Sequence, residues 1–211
     1  MTGSARGTAS RRKVVGIMGS GEHSFEDLAR AAGRAVAQCG THLLTGAGEG
    51  VMLAAARAFV ETDGRLGLSL GVVRAKELPE LEGLVRRWEA KRPPNHYVEL
   101  PINTHLPKSG DEGQHYCSRN HINVLTSDAV VVLPGGPGTK SECDLAIQYG
   151  RPTILFLDSN TVGNDTAADL EQRHGTRVEV ATDEADLIRR LRRVLGLVTV
   201  DERPGLRQPG R

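Results

Sequence analysis

The sequence predicts an α/β fold, a mostly parallel sheet of about six to seven strands with helices on both faces. Two observations carry this. Short apolar, β-branched runs alternate along the chain with stretches of helical periodicity. Three of those runs also end in glycine turns, at 19–21, 46–50 and 135–138. Strands that alternate with helices are joined by right-handed crossovers and therefore run parallel.

Each element follows in order. Residues 13–18 form a first strand, with Gly19-Ser20-Gly21 as its turn. Ser24-Phe25-Glu26-Asp27 is a capping signature, and Leu28, Ala31, Ala32, Ala35 and Val36 give the following helix its apolar face. His42 to Thr45 is a second strand, ending in Gly46-Ala47-Gly48-Glu49-Gly50, and Val51 to Val60 is a helix of small residues. Residues 66–73 read as a third strand. The charged stretch 74–94 reads as a solvated helix whose Trp88 covers a neighbour, with a subunit-contact or lid segment as the alternative. A fourth strand is expected at 96–100, a polar loop at 101–115 and a helix at 116–126. The fifth strand spans 128–133 and its helix 141–149. A sixth strand at 152–157, a seventh at 178–181 and a terminal helix at 183–195 complete the domain expected over 13–200. Residues 1–12 and 201–211, rich in Gly, Pro, Ser and Arg, read as disordered tails.

Composition narrows the partners. The 211 residues carry 27 basic and 26 acidic side chains, a formal charge of +1, so no global field draws nucleic acid or membrane. Aromatics at 3% leave no stacking platform for single strands. No apolar run approaches the roughly 20 residues of a membrane span. Three scattered cysteines, Cys39, Cys117 and Cys143, fit reduced thiols and a cytoplasmic location. His115, Cys117 and His121 lie close in sequence, but only Cys117 and His121 share a helical face, so neither a metal nor a cofactor is expected. Cys143 has no neighbouring base to make it a nucleophile.

The richest segment is 130–142. A β-branched run ends in Pro134-Gly135-Gly136-Pro137-Gly138-Thr139, and a helix begins there. Glycines let backbone N–H groups approach an anion, and the helix dipole favours the same spot. The spacing is not that of a P-loop, nor do the three turns match G-x-G-x-x-G, so triphosphate hydrolysis and dinucleotide redox chemistry are disfavoured. Thr139 and Glu142 also fit a capping box, in which Glu142 serves the helix start. In an open parallel sheet, the three turns share the carboxyl edge where ligands bind.

Residues 134–142 match the P-G-G-x-G-T-x-x-E signature of the Lonely Guy family, historically mislabelled lysine decarboxylase. Thr45-Gly46-Ala47-Gly48-Glu49-Gly50-Val51-Met52 resembles its G-G-G-x-x-G-L-M element, and Gly19-Ser20-Gly21 resembles its first turn. The resemblance spans about residues 13–157. It implies a Rossmann-like fold, a homodimer or larger homo-oligomer, and cleavage of the N-glycosidic bond of a nucleoside 5′-monophosphate to free base and ribose 5-phosphate. Glu142 and Arg119 correspond to the family's catalytic residues. Gly19, Ser20, Gly21, Gly46, Gly48, Gly50, Asn120, Pro134, Gly135, Gly136, Gly138 and Thr139 correspond to a substrate- and phosphate-binding set.

The element around Arg119 departs from the family's M-H-E-R-K-x-x-M and reads Tyr116-Cys117-Ser118-Arg119-Asn120-His121-Ile122-Asn123. That form resembles the branch containing the molybdenum cofactor carrier proteins. Two functions are therefore expected in order. The first is a phosphoribohydrolase, in which the carboxylate supports an oxocarbenium-like state and the arginine clamps phosphate. The second is a protein that holds a nucleotide or phosphorylated pterin without turnover. A nucleotide-sensing module ranks third.

Overall fold

A computed structural model describes residues 11–76, 88–157 and 161–197. In order, the elements are β1 Val14–Met18, α1 Glu26–Gln38, β2 His42–Thr45, α2 Val51–Val60, β3 Ser69–Val73 and β4 Leu100–Asn103. There follow α3 Asn120–Thr126, β5 Ala129–Val132, α4 Pro137–Gln148, β6 Thr153–Leu155, β7 Thr161–Val162 and β8 Asp165–Thr166. Last come α5 Ala167–His174, β9 Glu179–Val180 and α6 Glu184–Val194. Seven strands form one sheet in the order β4-β3-β2-β1-β5-β6-β9, every neighbouring pair parallel. This is the Rossmann-like α/β fold expected from the alternation. β7 and β8 make a separate antiparallel hairpin.

The core lies on both faces of the sheet. On one face, α1, α2 and α6 cover Val15, Ile17, Leu43 and Val131 with Ala32, Phe59, Leu187 and Leu191. On the other, α4 and α5 bring Cys143, Ala146 and Leu170 onto Met18, Val130, Val132 and Leu155. The alanines of α1 and α2 permit close approach. Gly33 is an extreme case: a Cβ there would overlap the Ala55 carbonyl oxygen and fall 3.1 Å from Phe59 N.

Several boundaries differ from expectation, each for a local reason. The capping signature at 24–27 does not form. Phe25 occupies the N-cap in the left-handed region (φ 41°), with no side-chain cap. β3 starts at Ser69, after Gly67 has packed against the backbone of Thr41 and Leu68 O has accepted the first ladder bond from Leu43 N. The fourth strand lies at 100–103, not 96–100: the Val98 N–H bonds back to Asn95, turning the chain there. The sequence pattern missed β7, β8 and α5, whose cap is a Thr166–Asp169 capping box.

Within 74–94, residues 77–87 lie outside the described residues. The flanks pair antiparallel at Ala75 and Ala90, and Trp88 Nε1 donates to Thr104 O at 2.8 Å. The expected tails also lie outside the described residues, apart from Arg11 and Arg12. Arg11 is not free: its guanidinium forms a fork with Asp128 at 2.6 and 2.9 Å.

Candidate functional site

The strand order reverses at β1. From it the chain winds to β2, β3 and β4 on one side, then crosses to β5, β6 and β9 on the other. A crevice opens at such a point, outside the carboxyl ends of β1 and β5. The three glycine turns meet there. Ser20 N donates to Pro134 O at 3.0 Å, and Val51 N donates to Ser20 O at 2.9 Å, so one residue stitches all three loops. Two glycines are obligatory for this closeness. A Cβ at Gly19 would lie 2.6 Å from Val51, and one at Gly50, whose φ is +61°, would lie 2.6 Å from Ser20 O. The Ser20 hydroxyl accepts from the N–H groups of Glu22 and His23, so it shapes its own loop. Gly21 is exposed at the rim.

In the second turn, Ala47 stands in the left-handed region at φ 62°. Thr45 Oγ1 accepts from Ala47 N at 3.2 Å, and Asn95 holds the turn through Ala47 O and through Gly48 O at 2.8 Å. Gly48 packs beside Met52.

α4 begins earlier than its periodicity implied. Pro137 occupies the first helical position, where its missing N–H costs nothing, and Gly136 is the N-cap with no side chain to cap it. The expected Thr139–Glu142 capping box is therefore absent. Thr139 sits in the first turn over Gly135, and Glu142 points inward. The first-turn N–H groups of α4 carry no side-chain cap, which is the arrangement an oxyanion would satisfy. The turn at 110–113 lies across this helix start: a Cβ at Gly138 would be 2.9 Å from the Gly110 Cα.

Glu142 and Arg119 are brought together beneath that turn. Glu142 is buried, and its Oε1 accepts from Asn123 Nδ2 at 2.8 Å. Burial pushes its carboxyl upward, against the opposing pull of Arg119 and the Asn123 bond. Arg119 is the N-cap residue of α3, its N–H donating to Lys108 O at 3.0 Å. The residue retains some open surface, but Nε and Nη1 of its guanidinium are covered and have no partner among the described residues. Burial pulls its proton affinity down, Glu142 raises it, and the charge of Arg74 lowers it further. The guanidinium rests against Gly46: a Cβ there would lie 2.6 Å from Cζ.

Three more polar atoms nearby are buried without a partner among the described residues, namely Asn120 Nδ2, Asn123 Oδ1 and Ser141 Oγ. Asn120 and Ser141 both border Gly113, where the turn crosses. Each such orphan costs about 1–3 kcal/mol, so a cluster of them marks a place built for something other than stability.

Sequence reasoning passed over Asn123, Ser141 and Arg74. The two asparagines at i and i+3 of a short helix were the available signal. Arg74 was hidden in a charged run. In the His115, Cys117 and His121 trio, the His121 ring bonds Tyr149 Oη at 2.8 Å and His115 O at 3.1 Å, and His115 Nδ1 accepts from Cys117 N at 3.0 Å. Among the described residues no three His, Cys, Asp or Glu side chains are grouped to hold a metal ion. Cys143 is buried and its thiol is pushed up to about 12, which keeps it protonated.

Comparison with known proteins agrees with this architecture. The chain is 26% identical to the molybdenum cofactor binding protein from the phototrophic bacterium Rippkaea orientalis, over 88% of this chain and 98% of that one, with a TM-score of 0.63. It is 25% identical to the molybdenum cofactor carrier protein MCP from Chlamydomonas reinhardtii, over 88% and 99%, with a TM-score of 0.64. No protein of curated function gives a significant match. The family model described as the SLOG cluster4 family matches residues 12–188, and the chain belongs to that family.

Proposed function

We propose that this chain is a binding protein that holds a nucleotide or a phosphorylated pterin, such as the molybdenum cofactor, without turning it over. The observation that carries this reading is the buried guanidinium of Arg119, packed on Gly46 beneath the crevice with two nitrogens that have no partner among the described residues. An arginine so placed is a half-made contact, completed by an anionic ligand. The uncapped start of α4 offers the ligand's phosphate its N–H groups. The two similar structures, both named for binding or carrying the molybdenum cofactor, support the same class of ligand.

The phosphoribohydrolase reading ranks second. What favours it is that Glu142 and Arg119 do share one site. Against it stands the state of Glu142. A carboxylate that steadies an oxocarbenium-like sugar must carry its charge, and burial, opposed by Arg119 and the Asn123 bond, raises this one's proton affinity. A neutral acid can still donate a hydrogen bond and orient a bound ring. The assembly into a homodimer or larger oligomer and the cytoplasmic setting belong to the same proposal. Among the described residues, no helix is long and apolar enough to cross a membrane.

Titration calorimetry with purified molybdopterin and with a panel of nucleoside 5′-monophosphates tests the proposal. Saturable binding of one of them, weakened at least about tenfold in Arg119→Ala, is expected from the loss of charge-assisted bonds. Equal affinity in Arg119→Ala would remove the proposal's central residue.

A further inference from the structure

Arg119 is not the only cation at this end of the sheet. Arg74 follows directly on β3, the strand next to β2, whose end carries Gly46. The two arginines are tied to consecutive residues of one loop. Arg74 Nη1 reaches Pro107 O at 3.5 Å, and Arg119 N donates to Lys108 O at 3.0 Å. The Lys108–Ser118 bridge fixes that loop beside Arg119. The nearby Lys108 ammonium is already paired with Glu112 at 2.7 Å, so it adds no free charge. Glu142 is the acid that interacts with Arg119, and it is held by Asn123. Arg119 is thus the cation beside Glu142, with Nε and Nη1 unpartnered among the described residues, and Arg74 adds a second positive charge beside Arg119.

We infer that Arg74 and Arg119 form a second oxyanion subsite, separate from the start of α4, for the far end of a ligand that is anionic at both ends. The inference rests on the reading above that a phosphate seats at α4. The sheet sets the span. β5, which leads to α4, is separated from β2, which leads to Gly46, by β1 alone, and from β3, which leads to Arg74, by β1 and β2, so the two subsites stand roughly 10–15 Å apart at the usual strand spacing. A compact monoanion would fill one subsite. A phosphorylated heterocycle with a phosphate-, sulfate- or molybdate-like group at its other end would fill both. The charge of Arg74 lowers the proton affinity of Arg119, the sense expected of two cations held by one loop, and a bound anion would relieve it.

The test uses the full chain and tungstate, a tetrahedral dianion, as the calorimetric probe. The wild type is expected to bind two tungstate ions per chain. Arg74→Gln is expected to lose one of them, with that affinity falling at least about tenfold and the melting temperature unchanged. Arg74→Lys, which keeps the charge without the fork, should bind the second ion with intermediate affinity. A single tungstate whose binding survives Arg74→Gln would overturn the subsite. A single tungstate lost in Arg74→Gln would keep the subsite and remove the α4 seat instead. If molybdopterin or a nucleotide binds while tungstate occupies only one Arg74-independent position, the subsite fails and the binding function stands. If Arg74→Gln does not fold, Arg74→Lys carries the comparison alone, and wild-type tungstate affinity at both positions in that variant would overturn the inference.

Discussion

At the residue scale, the site is defined by what glycine leaves room for. Gly46 admits the Arg119 guanidinium against its Cα, and the atoms in the way of a Cβ are the far end of a flexible side chain. Gly46→Ala should therefore push Arg119 aside at little cost to the fold. Calorimetry should show ligand affinity reduced by about tenfold or more, with a melting temperature near the wild type. A large loss of stability would mean that Arg119 is locked for packing. Glu142 gives a second prediction. An acid whose folded pKa is raised contributes stability that is complete below its unfolded value near 4.5 and is lost as pH rises through the folded value. Glu142→Gln, a neutral isostere, should thus melt higher than the wild type at pH 7, the difference vanishing below about pH 4.5. A variant that melts lower at pH 7 would show that Glu142 is ionised and paired with Arg119. Sequence motifs located both residues. They misjudged Glu142's neighbours, because the Asn123 bond spans two helices and leaves no periodic trace.

At the element scale, legibility tracked how sharply the sequence punctuates. β2 and α2 lie where the pattern places them, since Gly40 and Gly50 bound them with positive φ. α4 was misplaced at its start because Thr139 and Glu142 imitate a cap, whereas Pro137 with its fixed φ already begins the helix. β7 and β8 escape the pattern because two-residue strands carry no measurable alternation, and α5 because Leu170 alone is buried and leaves no apolar stripe. Helix contacts supply two tests. Gly33→Ala would drive a methyl into the backbone of α2, and denaturant unfolding should show a loss of about 1–3 kcal/mol. Asp183 caps α6 by accepting from Asp186 N at 2.8 Å, so Asp183→Ala should cost about 1 kcal/mol in the same assay.

At the scale of the whole molecule, the parallel sheet and its reversal at β1 explain why loops far apart in sequence meet. The alternation of runs was enough to predict that sheet, and the glycine turns were enough to identify three loops that meet at one edge of it. What the sequence could not show was the balance of charge inside the crevice. Two arginines, one carboxyl whose proton affinity burial raises and three polar atoms without a partner among the described residues are what the proposed binding function rests on. The most direct test is to incubate the protein with each ligand that binds it and to recover the ligand by chromatography. The account predicts that it returns intact, with no free base released from any nucleoside monophosphate. Free base that appears with the wild type and disappears with Glu142→Ala would contradict it and restore the hydrolase.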